Sequence, residues 1–187
     1  MTMSQSPPIR FRFAPAKAMA ALQWMLEQAG SRGCDLHCLL KACYFADKAH
    51  LNLHGRPVFG ATYRAMRFGP VPLEIYEMLK GEPLHLADLG ADSYPWILEG
   101  YMVRLREGKN AAPDEDALST SDWREVKKAF EQSRSMSFDE RTAATHGPDW
   151  QRANLGIMRY EDMLDEDIPD RAARIAELAE NARWLAL

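Results

Sequence analysis

Between residues 15 and 28, apolar side chains recur at three- and four-residue spacing: Met19, Leu22, Met25 and Leu26, then Ala29. That period puts them on one helical face, with Pro15 suited to a first turn and Gly30 to a stop. Asp35 is a good N-cap for a second helix running to about His54, with Leu36, Leu39, Leu40, Cys43 and Tyr44 as its apolar stripe. Gly55 ends that helix and Pro57 blocks its continuation. In residues 58–68, Tyr63, Ala65 and Arg67 alternate with Arg64, Met66 and Phe68, a period of two that predicts a short strand or hairpin. Gly69-Pro70-Val71-Pro72 reads as a turn into a third helix, with Pro72 near its first position and Leu73, Tyr76 and Leu79 on one face. Upstream, Ile9-Arg10-Phe11-Arg12-Phe13 alternates apolar and basic residues, as an ordered arm or an edge strand does.

The pattern weakens over residues 82–118, where residues 101–105 read as a strand and 108–116 as a loop of small and acidic residues. The Asp122…Glu125 spacing then fits a capping box for a helix through about Arg134, and Ser137…Glu140 fits another for a short helix ending near His146. His146-Gly147-Pro148 is a break, and the acidic run 161–170 is a linker or a helix start. From Ile168 the tail carries Ala172, Ile175, Leu178, Ala179, Ala182 and Leu185 in helical register. The sum is mainly α (an α+β class): a compact helical domain of five or six helices with a small β-hairpin or short sheet. The expected organisation is one domain with an N-terminal arm at 1–14, a core at 15–155 and a helical tail at 156–187.

Composition narrows the class. With 187 residues and 47% hydrophobic, the chain can bury a sizeable core without disulfides or metals. No apolar run approaches the ~20 residues of a spanning helix, and residues 1–8 lack a signal-like apolar stretch, so the expected location is cytoplasmic with no membrane partner. Cys34, Cys38 and Cys43 are odd in number and tightly clustered, which suits a reducing compartment. Net charge is −4, unevenly spread: residues 1–80 carry ten basic and five acidic side chains, the remainder thirteen and twenty-two.

Enzyme chemistry finds little footing. No nucleophile elbow, Walker loop or dinucleotide fingerprint occurs. Cys34, His37, Cys38, Cys43, His50 and His54 form the candidate metal cluster, and His50 and His54 share a helical face. No Glu follows His50, however, and Cys38 and Cys43 fall largely on the apolar stripe. A zinc-dependent hydrolase using His50 and His54 stays as an alternative, and no catalytic residue, metal or cofactor is assigned. Arg64 and Arg67 interleaved with Tyr63 and Phe68 would make a stacking platform, but an acidic chain argues against nucleic acid. A phage- or plasmid-associated DNA-binding regulator is the second alternative.

One ordered block is more specific. Leu39-Leu40-Lys41-Ala42-Cys43-Tyr44-Phe45-Ala46-Asp47 is followed by Gly55-Arg56-Pro57, then by Tyr63-Arg64-Ala65-Met66-Arg67-Phe68-Gly69-Pro70-Val71-Pro72, then by Tyr76. It resembles the Panacea domain, the family that includes the SocA antitoxin. Lys41, Tyr44, Asp47, Gly55, Pro57, Tyr63, Ala65, Gly69, Pro70, Val71 and Tyr76 keep the order and spacing, while Cys43 and Phe68 replace a Leu and a Tyr. The core resemblance covers residues 16–80, and His146-Gly147-Pro148 with Trp150 is similar to a weaker feature of the family. It implies an antitoxin, not an enzyme, that neutralises a cognate protein toxin by direct contact. In the SocA branch it further implies a proteolytic adaptor that hands the toxin to ClpXP.

For the residues themselves, Asp47 shares a face with the apolar stripe, so its carboxylate needs hydrogen bonds, from the Tyr63 hydroxyl or from turn amides near Gly69. It is expected to specify the fold, together with Lys41, Tyr44, Gly55, Pro57, Tyr63, Gly69 and Pro70. Partner contacts are expected at Arg64, Arg67, Phe68 and Tyr76. The final Trp184-Leu185-Ala186-Leu187 reads either as a protease-docking tail or as the end of a packed helix.

Overall fold

A computed structural model describes residues 7–108, 112–182 and 184–185. Residues 1–6, 109–111, 183 and 186–187 lie outside the described residues, and with them most of the leader, the middle of the 108–116 loop and the last two residues of the tail motif.

The longest helix organises everything else. Helix α1 (Pro15–Ala29) starts on its proline and buries Ala18, Ala21, Leu22 and Met25. Helix α2 (Leu36–His54) is capped by Asp35, whose Oδ1 accepts from the Cys38 amide at 2.8 Å, and closes on Gly55 at φ 71°. A positive φ at that C′ position is what favours glycine there. Leu39, Ala42, Cys43, Ala46 and Leu51 are buried along α2.

Strands β2 (Tyr63–Met66) and β3 (Gly69–Pro72) form an antiparallel hairpin in which Tyr63 faces Pro72 and Met66 faces Gly69. This corrects the expected turn at 69–72: that segment is a strand, and Arg67-Phe68 is the turn. Two prolines fit because Ala65 N–H donates outward to Gly156 O and Tyr63 O accepts from Met158 N–H, both at 2.9 Å. Pro70 and Pro72 therefore oppose residues whose ladder groups point away, and their missing N–H groups are not needed. Helix α3 (Leu73–Lys80) follows directly, with Pro72 as N-cap, one position ahead of the expected first turn.

Beyond it come one-turn α4 (Leu86–Leu89), β4 (Trp96–Glu99) and β5 (Met102–Leu105). These two strands and the two-residue β1 (Cys34–Asp35) make a second antiparallel sheet, ordered β1-β5-β4. Helix α5 (Thr120–Ser135) packs along α2, where Ser133 Oγ donates to Cys38 O at 2.7 Å. Its capping box is Ser119 with Asp122, not Asp122 with Glu125, so the helix begins three residues earlier than expected. The Asp122 carboxylate accepts the Ser119 amide and is buried, whereas a helix starting at Asp122 would leave that amide unsatisfied.

Helix α6 (Phe138–Ala144) has the expected Ser137/Glu140 box. Pro148 of the predicted break opens α7 (Pro148–Ala153). The acidic run is entered by α8 (Tyr160–Met163), and α9 (Arg171–Asn181) follows. The six expected helices are present; α4, α7 and α8 are short additions among the described residues. The fold is mainly α with some β. None of the described helices is long and apolar enough to cross a membrane.

Residues 7–14 form an extended arm without a ladder. Ile9 and Phe11 are buried, Arg10 and Arg12 exposed, and the Phe11 ring meets Tyr160 edge-on at 4.9 Å. The period of two thus reports burial on one side of an extended chain, not strand pairing.

Candidate partner-binding site

Two buried polar centres fix the elements around the site. Asp47 Oδ1 accepts the Val58 and Phe59 amides at 2.8 and 2.7 Å, and Oδ2 accepts the Tyr63 hydroxyl at 2.9 Å. The Tyr63 partner is as expected, but the amides come from the chain after Pro57, not from the Gly69 region. Burial pushes the Asp47 carboxyl up to about 7 against those three hydrogen bonds. Asp122 ties Lys17 (2.9 Å) and Arg56 (3.0 Å) to the start of α5, with the His50 ring packed beside its carboxylate. A third link is the Tyr44 hydroxyl, which donates to Asp149 at 2.5 Å and so holds α7 to α2.

Above this frame lies a cleft of about 820 Å³. The first turns of α2 supply Leu36, His37, Leu40 and Lys41, and the hairpin supplies Met66, Arg67, Phe68, Gly69 and Val71. Tyr76 of α3, Tyr101 of the β4–β5 turn, and Phe138 and Arg141 of α6 close the circle with Asp35. Three aromatic rings stand at the rim in water: Tyr101 is 82% exposed, Phe68 47% and Phe138 42%. Phe68 and Phe138 meet edge-on at 5.2 Å, and His37 lies against Phe138 at 4.2 Å.

The hairpin tip is pinned to α2 by its carbonyls. Lys41 Nζ donates to Pro70 O at 2.7 Å, and His37 Nε2 lies 3.1 Å from Phe68 O. A carbonyl only accepts, so Nε2 carries the proton. Nδ1 of the neutral ring is then a buried lone pair without a partner. Burial, then the charge of Lys41, pushes His37 down to about 4. Gly69, at φ 100°, passes so close that a β-carbon would stand 2.3 Å from Thr145 Oγ1 and 3.0 Å from Lys41 Cε. Only glycine fits there.

The cleft is positively charged. Lys41 is 1% exposed and has no carboxylate partner among the described residues; burial, with Arg141 adding, pushes its ammonium down to about 7. Arg141, 6% exposed, reaches both Asp35 oxygens at 3.1 and 3.3 Å and Ser133 O at 3.3 Å, while its Nε is buried without a partner. Arg67 lies over the Phe68 ring at 5.2 Å.

Of the residues expected at partner contacts, Arg67, Phe68 and Tyr76 come together here. Arg64 does not line the cleft; it is exposed on β2 beside the bridge to Ile157. Lys41 and Gly69 line it as well, whereas Tyr44, Asp47 and Tyr63 sit in the core beneath. Tyr63 is buried and presents no ring to a base, so the four-residue stacking platform is not built. Leu36, His37, Tyr101, Phe138 and Arg141 are the site residues that sequence reasoning missed. The one signal available was the Ser137/Glu140 cap, which places Phe138 and Arg141 one turn apart on α6.

The His50–His54 metal pair fails on its donors. His50 Nδ1 must donate to Arg56 O at 2.8 Å, and Nε2 faces Ser121 Oγ at 3.1 Å, so no lone pair is left for an ion. Cys34, Asp35 and Cys38 instead bring three ligand atoms within 4.8 Å of one another. The two thiols are free, and a hydrogen bond between them holds Cys38 down to about 7 and raises Cys34. Arg141, paired to that same Asp35 carboxylate, opposes a cation there.

The domain is mainly helical, and this cleft is apolar, basic and ringed by exposed aromatics, a composition common at protein interfaces. Residues 39–151 match the family described as antitoxin SocA-like, Panacea domain, and the chain belongs to that family. The match starts inside α2, runs on through α6 and ends inside α7, well past residue 80, and so takes in Phe138, Arg141 and Trp150. Membership carries a general antitoxin role and, with it, a protein partner in general. No curated protein and no solved structure gives a match.

Proposed function

We propose that this chain is a cytoplasmic antitoxin that neutralises a protein toxin by direct contact, and that the toxin seats in the cleft between α2, the β2–β3 hairpin and α6. The observation that carries the reading is the rim: Phe68, Tyr101 and Phe138 stand exposed around an apolar floor. Rings in that arrangement are the usual anchors of a protein interface, because they bury much area at little entropic cost. The finer form, delivery of the bound toxin to ClpXP, rests on the SocA likeness. The C-terminal Trp184, 85% exposed, is a surface such a protease could meet.

The test is co-expression with the product of the adjacent gene. Stable co-purification with rescue of growth supports the reading, and Phe68→Asp should abolish both. Toxin lifetime measured with and without ClpX then separates delivery from simple blocking. If the neighbour is harmless and nothing co-purifies, the antitoxin reading fails.

A further inference from the structure

The cleft holds more positive charge than its own carboxylate answers. Among the described residues Asp35 is its one acidic wall residue, and it is already shared between the α2 cap and Arg141. Lys41 spends one N–H on the Pro70 carbonyl and meets no anion among the described residues. Arg141 keeps a buried Nε without an acceptor, and Arg67 adds a third cation at the mouth. Burying cations this way costs stability unless something else offsets it. The surroundings say what that something is. Leu40, Val71 and Phe138 make an apolar wall, the surroundings of an apolar chain rather than of a free inorganic anion.

We propose that the cleft recognises a carboxylate carried on an apolar segment of the protein partner, with Lys41 and Arg141 taking the carboxylate and Leu40, Val71 and Phe138 the chain beside it. The proposal rests on the reading of this cleft as the partner's seat and names the chemistry that the partner must present. Lys41 is thereby more than a strut for the hairpin: the carbonyl of Pro70 uses one of its three donors and leaves the others for the guest. Charge complementarity of this kind selects among partners, since an uncharged or basic segment would leave the cations buried and unpaired.

The test uses a matched pair of probes on the full chain, 4-phenylbutyrate and 4-phenylbutyramide, followed by amide chemical shifts. The acid should bind in the millimolar range, with shifts centred on residues 36–41 and 66–71. The amide should bind on the order of tenfold more weakly, because charge-assisted hydrogen bonds are lost. Lys41→Met should remove the preference. Arg67→Gln, an exposed change that leaves the core alone, should weaken the acid several-fold and serves if Lys41→Met does not fold. Equal binding of acid and amide, binding elsewhere, or equal competition by inorganic phosphate would overturn the proposal.

Binding of the adjacent-gene product is a separate readout. Acid preference without partner binding leaves the carboxylate site standing and removes the antitoxin reading. Partner binding that is indifferent to Lys41→Met and Arg67→Gln does the reverse.

Discussion

At the scale of single residues, burial sets the charges that matter. Lys41 has an ordinary value of 10.5 and is pushed down to about 7 in the fold. Between those two pH values the unfolded chain keeps a proton that the folded chain has lost, so this contribution to stability grows as pH rises across the window. Asp47 runs the other way at lower pH. Its carboxyl goes from 3.8 up to about 7, so the folded chain holds the extra proton between those values and stability falls as pH rises. Lys41→Met removes the first effect alone. Thermal midpoints of the wild type and of Lys41→Met should therefore converge, or cross, on going from pH 7 to pH 10, with the wild type gaining. A constant gap between the two proteins would show that Lys41 is an ordinary exposed-type lysine. Asp47 was legible from its place on an apolar stripe, which demands hydrogen bonds whatever the fold. The Lys41 environment was not legible, because Arg141 stands a hundred residues away in the chain.

Elements were readable where their signals are local. The Asp35 cap, the stripe and the Gly55 stop of α2 all act within four residues, and sequence and structure agree on them. The hairpin was misread for a specific reason: two prolines in four residues spell a turn. Only the neighbouring 156–158 segment, which takes the other side of β2, shows why they sit in a strand. Likewise Asp122…Glu125 and Ser119…Asp122 are both acceptable boxes on paper, and burial of Asp122 among Lys17, His50 and Arg56 decides between them. The choice has an energetic consequence. Ser119→Ala should cost about 1 kcal/mol, the usual loss of a cap. Asp122→Ala should cost about 3 kcal/mol or more, because it leaves Lys17 and Arg56 partly buried without their anion. Chemical denaturation of the two variants checks this, and equal losses would mean that Asp122 acts only as a capping residue.

For the molecule as a whole, mainly helical character and family membership followed from the sequence, since both rest on periodicity and on an ordered motif within one stretch of chain. The cleft did not follow. Its walls come from α2, a hairpin, the β4–β5 turn and α6, and Asp35 and Arg141 meet across 106 positions of sequence. Three of the four residues expected at partner contacts fell into it: Arg67 and Phe68 because a hairpin turn has to project, and Tyr76 from α3. Arg64, three residues earlier on β2, lies outside the cleft. The central claim is that a protein partner seats in this cleft. Hydrogen exchange of the chain alone and in complex with its co-purified partner tests it most directly. Protection centred on residues 36–41, 66–71 and 138–141 is the predicted result, and protection confined to α9 or the N-terminal arm, with the cleft unchanged, would contradict it.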